Sequence, residues 1–159
     1  MARLDELDTA ILREMQADAR RTNRDIAAAV GVSPTTALAQ APGPVQRGVI
    51  RGALLDVDLA QIGRPVQALI AVRIRPPSRT VIEAFRDWVI ALPETIGLFV
   101  VSGHEDFLIH VAVADNQGLY AFVIDRLTQR PEVADVRTSV VYEHIRGQPV
   151  VPVVTPAAR

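Results

Sequence analysis

Apolar residues in the first part of the chain recur at three- and four-residue steps. Leu4, Leu7, Ile11, Leu12 and Met15 share one helical face, and Asp5 with Asp8 has the form of an N-cap and its third-position partner. Thr22 with Asp25 repeats that form before Ile26, Ala27 and Val30, and Gly31 stops the second helix. Ser33 followed by Pro34 starts a third, an N-cap with proline at the first helical position. Three short helices with a Gly-containing turn before the third predict a helix-turn-helix.

From Ile50 the period changes. Val66, Ala68, Ile70, Val72 and Ile74 alternate as a strand. "TVIEAFRDWVIAL" predicts a helix with Thr80 and Glu83 as capping box and Ile82, Phe85, Val89 and Leu92 on its apolar face. "TIGLFVVSG" and "DFLIHVAVA" are strands, "LYAFVIDRLTQR" a helix and "VADVRTSVVYEHI" a last strand. "LPE" before the first of these strands returns as "RPE" before the last, at Glu94 and Glu132, which suggests a duplicated half. The order βαββαβ is the ferredoxin-like unit, so the fold class is α+β: helices on one face of an antiparallel sheet. The other sheet face also alternates apolar residues and needs a cover, for which a second copy of the chain is the simplest candidate.

The domain reading is a helix-turn-helix over 1–50, a linking strand and linker over 51–63, a ferredoxin-like domain over 64–146, and an extended, proline-punctuated tail over 147–159. The chain has no cysteine, which removes disulfides, thiolate metal sites and cysteine nucleophiles and fits a reducing, cytoplasmic setting. No apolar run approaches the ~20 residues that span a bilayer, and the N-terminus lacks the order of a signal peptide. The 17 basic residues are all arginine, a coding bias first. A net charge of −1 gives no global basic field, so nucleic-acid binding has to come from a local patch or a multimer. No nucleophile–base pairing, phosphate loop or metal spacing appears, so the reading is a non-enzyme without cofactor or metal.

Three stretches, "LDELDTAILREMQADARRTNRDIAAAVGVSPTTAL", "RGVIRGALLDVDLAQIG" and "VVSGHEDFLIHVAV", resemble the Lrp/AsnC (feast/famine) transcription regulators in order and spacing, over roughly residues 4 to 146. The resemblance implies an N-terminal domain that binds double-stranded DNA and a linking strand around 50 to 58. It implies a ferredoxin-like domain that forms homodimers, often four in a ring, and senses an amino-acid-like effector. Arg20, Arg21 and Arg24 cluster where relatives touch the DNA backbone, although a solvated surface accounts for them equally well. The other DNA-facing candidates are Ser33, Thr35, Thr36, Gln40 and Arg47.

One departure from the family is large. Where relatives carry an arginine-rich helix, this chain reads Ala39-Gln40-Ala41-Pro42-Gly43-Pro44, with no charged residue between Ser33 and Gln46. Two interior prolines cost about 3 kcal/mol each and the glycine about 1, against a total stability of about 5–15 kcal/mol for a small domain. The third helix is therefore expected to break before Pro42, with residues 41 to 46 extended or in a turn and disruption centred on 41–44. The phosphate contacts that dominate affinity are missing here, so DNA reading is expected to be weak. The alternative is a ligand-binding or oligomer-forming subunit that no longer reads DNA. Codons for residues 39 to 45 can be chosen so that a one-base shift reads Arg-Arg-Arg-Arg-Ala-Leu-Ser; a compensated frameshift and ordinary drift or specialisation both remain open as origins.

"SGHEDF" matches the Gly-x-x-Asp turn that relatives use in effector binding. Gly103 permits a tight turn that leaves N–H groups free for a carboxylate, His104 lies inside it, and Asp106 can accept from an ammonium, which together suit an α-amino acid. The plain alternative is a hairpin turn with a solvated aspartate. Thr138 and Ser139 resemble the family's polar pair at the same site, and taken alone are ordinary strand residues. His104, Asp106 and His110 invite a metal reading, but a histidine satisfied in the core or an interface is the better account of His110.

Overall fold

Each of the first three helices starts where the sequence supplies a side-chain acceptor. The computed structural model describes residues 4–40, 42–145 and 147–153. They form two units, one of the described residues up to Asp56 with 147–153, the other Val57–Ile145. The boundary between these units lies at 56/57, and the tail segment 147–153 belongs with the first unit.

In the first unit α1 (Glu6–Ala17) carries the expected capping box, Asp5 accepting from the Asp8 N–H and Asp8 from the Asp5 N–H. The Thr22/Asp25 box starts α2 (Asn23–Val30), and Gly31, at φ 74°, ends it in the left-handed region that glycine adopts without strain. Ser33 Oγ accepts from the Thr36 N–H at 3.1 Å at the start of α3 (Pro34–Gln40). Ile11, Ile26, Ala27 and Ala37 form the buried apolar centre.

The segment that follows corrects the expectation drawn from propensity. Pro42–Gln46 is helical, α4, where an extended or turn conformation was expected. Ala41 lies outside the described residues. The physical reason is tertiary: Arg47, just past α4, reaches back to α1. Its guanidinium donates to the Gly43 carbonyl at 3.0 Å and to Asp8 Oδ1 at 2.6 Å. Asp8 is 1% exposed, the one buried charged residue among those described. A Cβ on Gly43 would sit 2.8 Å from the Arg47 guanidinium, so the glycine leaves the space through which the arginine passes.

No strand forms among residues 50 to 58 of the single chain, contrary to the linking strand expected there. Leu54 and Leu55 stand 97% and 87% exposed.

The second unit has four antiparallel strands, β1 (Val66–Ile74), β2 (Thr95–Val100), β3 (Phe107–Val113) and β4 (Val133–Val141), in the order β2-β3-β1-β4. This is the ferredoxin-like topology expected. β4 ends at Val141, four residues before the end expected for it. Helix α5 (Arg79–Ile90) starts from Ser78, which accepts from the Val81 N–H, two residues ahead of the expected Thr80 cap; Glu83 pairs instead with Arg79 at 3.9 Å. The last helix is α6 (Asn116–Ala121), capped by Asp115, and continues as a wider π-helical stretch over Phe122–Leu127.

The helices cover one sheet face. Ala68, Ile70, Val72 and Ile74 of β1 and Phe107, Ile109 and Val111 of β3 are fully buried there with Phe85 and Val89, the Phe85 and Phe107 rings 5.0 Å apart. The register puts Leu69, Ala71, Leu108, His110 and Phe99 on the opposite face, with Leu69 and Phe99 38% and 59% exposed. Within this unit no element among the described residues covers that face.

Burial pushes the Asp8 carboxyl up, but the bonds from Arg47 and the Asp5 backbone, with the charge of Arg47, outweigh it and hold the group below the ordinary carboxylate range. Its stabilisation is therefore complete above the unfolded value near 3.9 and is lost as pH falls through the lower folded value. Asp8→Asn is expected to lower stability at pH 7 by about 1.5–3 kcal/mol, a gap to the unsubstituted chain that closes below about pH 4. Urea unfolding across that range measures it; a gap independent of pH would show that the charge of Asp8 is not what stabilises.

Candidate functional site

The face expected to meet DNA is assembled by the caps just described. Ser33 holds the start of α3, its hydroxyl also sharing a 2.8 Å bond with Thr36 Oγ1, so it works as a cap. Thr35, Thr36, Leu38 and Ala39 are exposed along α3 with no charge among them. The Gln40 side chain lies outside the described residues. Of the arginine cluster, Arg20 is 88% exposed and turned to Asp18 at 3.2 Å, and Arg21 pairs with Glu14. Arg24 is exposed. Arg47, expected among the DNA contacts, is drawn inward to Asp8, because a buried carboxylate without a cation is costly. The cation nearest the reading helix is thus engaged within its own unit. The sequence signal for this was Asp8 itself, a charged residue between Leu7 and Ile11 on the first helix.

In the second unit the turn before β3 is built on Gly103, at φ 133°, a conformation that side chains rarely adopt. Among the described residues, the backbone N–H groups of Gly103, His104 and Glu105 donate to no protein acceptor, while those of Val101 and Asp106 are engaged. Asp106 Oδ2 accepts from the Ile74 N–H at 2.7 Å, and Arg75 stands 3.6 Å away. The side chain of Asp106 therefore ties the turn to the end of β1, and no hydrogen bond to its other oxygen is made among the described residues. Arg137 of β4 pairs with Glu105 and lies 3.2 Å from His104 Nδ1. Arg75, Glu105 and Arg137 went unnoticed in the sequence, since only strand pairing reveals that these charges meet.

Thr138 lies opposite buried Ile70, and Ser139 opposite Leu69 on the uncovered face. Neighbouring strand residues point to opposite faces. Within one chain the two side chains therefore do not share a surface, and it is Ser139 that lies on the side of Arg137. His110 is not gathered with His104 and Asp106. It bonds Gln67 Oε1 at 3.0 Å and meets the His144 ring edge-on at 6.2 Å. Burial, then the neighbouring charge of His144, hold His110 below its ordinary value and so neutral at pH 7. No group of metal-binding side chains is assembled among the described residues.

Residues 67–151 match the family model of the Lrp/AsnC ligand binding domain, and residues 4–39 that of the AsnC-type helix-turn-helix domain. The chain is 36% identical over 146 residues to the HTH-type transcriptional regulator AldR of Mycobacterium tuberculosis, an alignment spanning 92% of this chain and 82% of that one. It is 31% identical to the leucine-responsive regulatory protein of Rhizobium meliloti, over 90% of this chain and 92% of that protein. Its fold is similar to a transcriptional regulator of Neisseria meningitidis solved as an L-Met complex, with TM-score 0.85, 27% identity, and 94% and 97% of the two chains covered. E. coli AsnC, at 24% identity and TM-score 0.77 over 98% of this chain and all of that one, shares the fold.

Asp106→Ala is expected to leave the Ile74 N–H without its acceptor and to destabilise the second unit by about 1–2 kcal/mol, whereas Asp106→Asn, which keeps an acceptor oxygen, loses less. Chemical unfolding of the two variants distinguishes them. Equal losses would remove the Ile74 bond from the explanation.

Proposed function

The chain belongs to the Lrp/AsnC family of transcriptional regulators, and on that premise we propose an amino-acid-responsive regulator that acts as a dimer or larger assembly and engages DNA weakly. It has a helix-turn-helix DNA-binding domain and a ligand-binding domain of that family, which is one of regulators and not of enzymes. None of its helices among the described residues is long and apolar enough to cross a membrane. The working place of such a regulator is the cytoplasm, with the DNA.

The observation that carries the weak-DNA reading is the neutral surface of α3. Thr35, Thr36, Leu38 and Ala39 offer a reading helix no cation, and Arg47 is held on Asp8. Phosphate neutralisation supplies most nonspecific affinity, and of the arginines singled out for DNA contact Arg20, Arg21 and Arg24 are left beside Arg47, Arg20 and Arg21 being paired with Asp18 and Glu14. The same observation favours the second reading, a subunit that senses and assembles without reading DNA.

For the effector, the unused N–H groups of residues 103 to 105 suit a carboxylate, and the Asp106 oxygen not bonded to Ile74 suits an ammonium. His104 lies within that turn, and Ser139 on the side of Arg137. Thr138 joins such a site only from another copy of the chain, since its own side chain leaves by the other sheet face. The uncovered face of Leu69, Leu108 and Phe99 and the exposed Leu54 and Leu55 supply surface for a homodimer and for dimers to join further, up to a tetramer of dimers.

Two measurements test this reading. Light scattering at micromolar concentration is expected to give a dimer or larger species, and a monomer would refute the assembly. In a salt series with double-stranded DNA the chain is expected to bind weakly with a shallow slope. Ala39→Arg, Gln40→Arg and Ala41→Arg together should steepen that slope by up to about 0.9 for each new phosphate contact. Tight, sequence-specific binding by the unsubstituted chain would overturn the proposal, and binding by neither protein would select the non-reading subunit.

A further inference from the structure

The first unit contains a second arrangement that neither DNA reading nor effector sensing uses. Gln16, on the last turn of α1, donates from Nε2 to the Val150 carbonyl at 2.8 Å, and the Val150 N–H donates to Gln16 Oε1 at 2.9 Å. One side-chain amide thus takes both backbone groups of one residue, as a neighbouring strand would. The two bonds together fix the orientation of the amide. Leu12 of α1, Val49 and Ile50 line one groove with Val151 and Pro152.

We propose that the chain's own segment 147–153 docks on the first unit as one wall of this groove, an intrachain strap that Gln16 latches to the first helix of the DNA-binding domain. The sequence of the strap fits the task. Pro149 and Pro152 bracket Val150 and Val151, and each disfavours helix in the residue before it, Gln148 and Val151. The free segment is therefore held near the extended form, which lowers the entropy lost on docking. Proline also removes the backbone donors at 149 and 152, which leaves Val150 and Val151 as the N–H groups between them. Val150 is the one latched. No charged side chain contributes to the latch, so its strength does not depend on salt. Because the segment follows β4 in the chain, the two units are joined at 56/57 and again through the strap.

The test uses the full chain and its amide hydrogen exchange. The Val150 N–H is expected to exchange at least about tenfold more slowly than in an unstructured peptide, and Gln16→Ala to abolish that protection while the Ile11 amide keeps its own. Val150→Pro, which deletes the donor and keeps the tail extended, should speed exchange at the end of α1 in the same way as Gln16→Ala. As a second arm, a peptide of residues 147–153 is expected to bind a chain shortened to end at Arg146. It should bind the intact chain far more weakly, because the tethered strap competes at an effective concentration of about millimolar. Unprotected Val150 in the intact chain, or equal peptide binding by both chains, would overturn the proposal. Protection that disappears on dilution would place the strap in a second copy of the chain and would equally overturn docking within one.

Discussion

A carboxylate buried in a small helical domain must find a cation, and in this chain the requirement falls on Asp8 and Arg47. Asp8 is 1% exposed, and it also closes the capping box of α1. Arg47 is 39 positions away and reaches it at 2.6 Å, with Gly43 vacant beneath the guanidinium. One contact therefore joins the first helix to α4, the short helix that follows the reading helix. It also engages the positive charge that follows α4 within its own unit. The proline-rich segment is not simply a lesion: a Cβ at its glycine would sit 2.8 Å from the guanidinium, which would have to shift.

The second unit is governed by a different constraint. A four-stranded sheet with helices on one side buries Ile70, Val72, Phe107 and Ile109 completely and leaves Leu69, Leu108 and Phe99 to be covered by something else. The turn at Gly103 sits at the end of this sheet, and Asp106 fastens it to the Ile74 N–H. Rigid attachment leaves the free N–H groups of residues 103 to 105 presented at fixed positions, which a small carboxylate ligand needs. The aspartate is thus a fastening of the turn, whatever it offers a ligand.

Much of this is legible in the amino-acid sequence. The capping boxes at Asp5/Asp8 and Thr22/Asp25, the stop at Gly31 and the alternation from Val66 to Ile74 are local signals, and the structure realises each of them. The reading failed where distant residues decide. Propensity made residues 41 to 46 non-helical, yet Pro42–Gln46 is helical beside an ion pair that joins positions 8 and 47. Thr80 looked like a cap, although Ser78 two residues earlier offers the same chemistry and takes the role. A linking strand was inferred around 50 to 58, but a strand needs a partner, and one chain supplies none there. At the turn before β3, the spacing of Gly103 and Asp106 could be read as a Gly-containing turn. Arg75 and Arg137 could not, because they arrive through pairing of β1 and β4.

The central claim is that the buried charge of Asp8, acting through Arg47, sets how the divergent segment packs. Gly43→Ala tests it most directly when its stability is measured in two backgrounds. In the unsubstituted chain the added methyl displaces the guanidinium from Asp8, and the loss should exceed the ~1 kcal/mol that alanine gains over glycine in a helix. In an Asp8→Ala background the guanidinium has no carboxylate to lose, so the same substitution should be neutral or stabilising. A reversal of sign between the backgrounds is what the account predicts. The same change in both would contradict it, because residue 43 would then act independently of the ion pair.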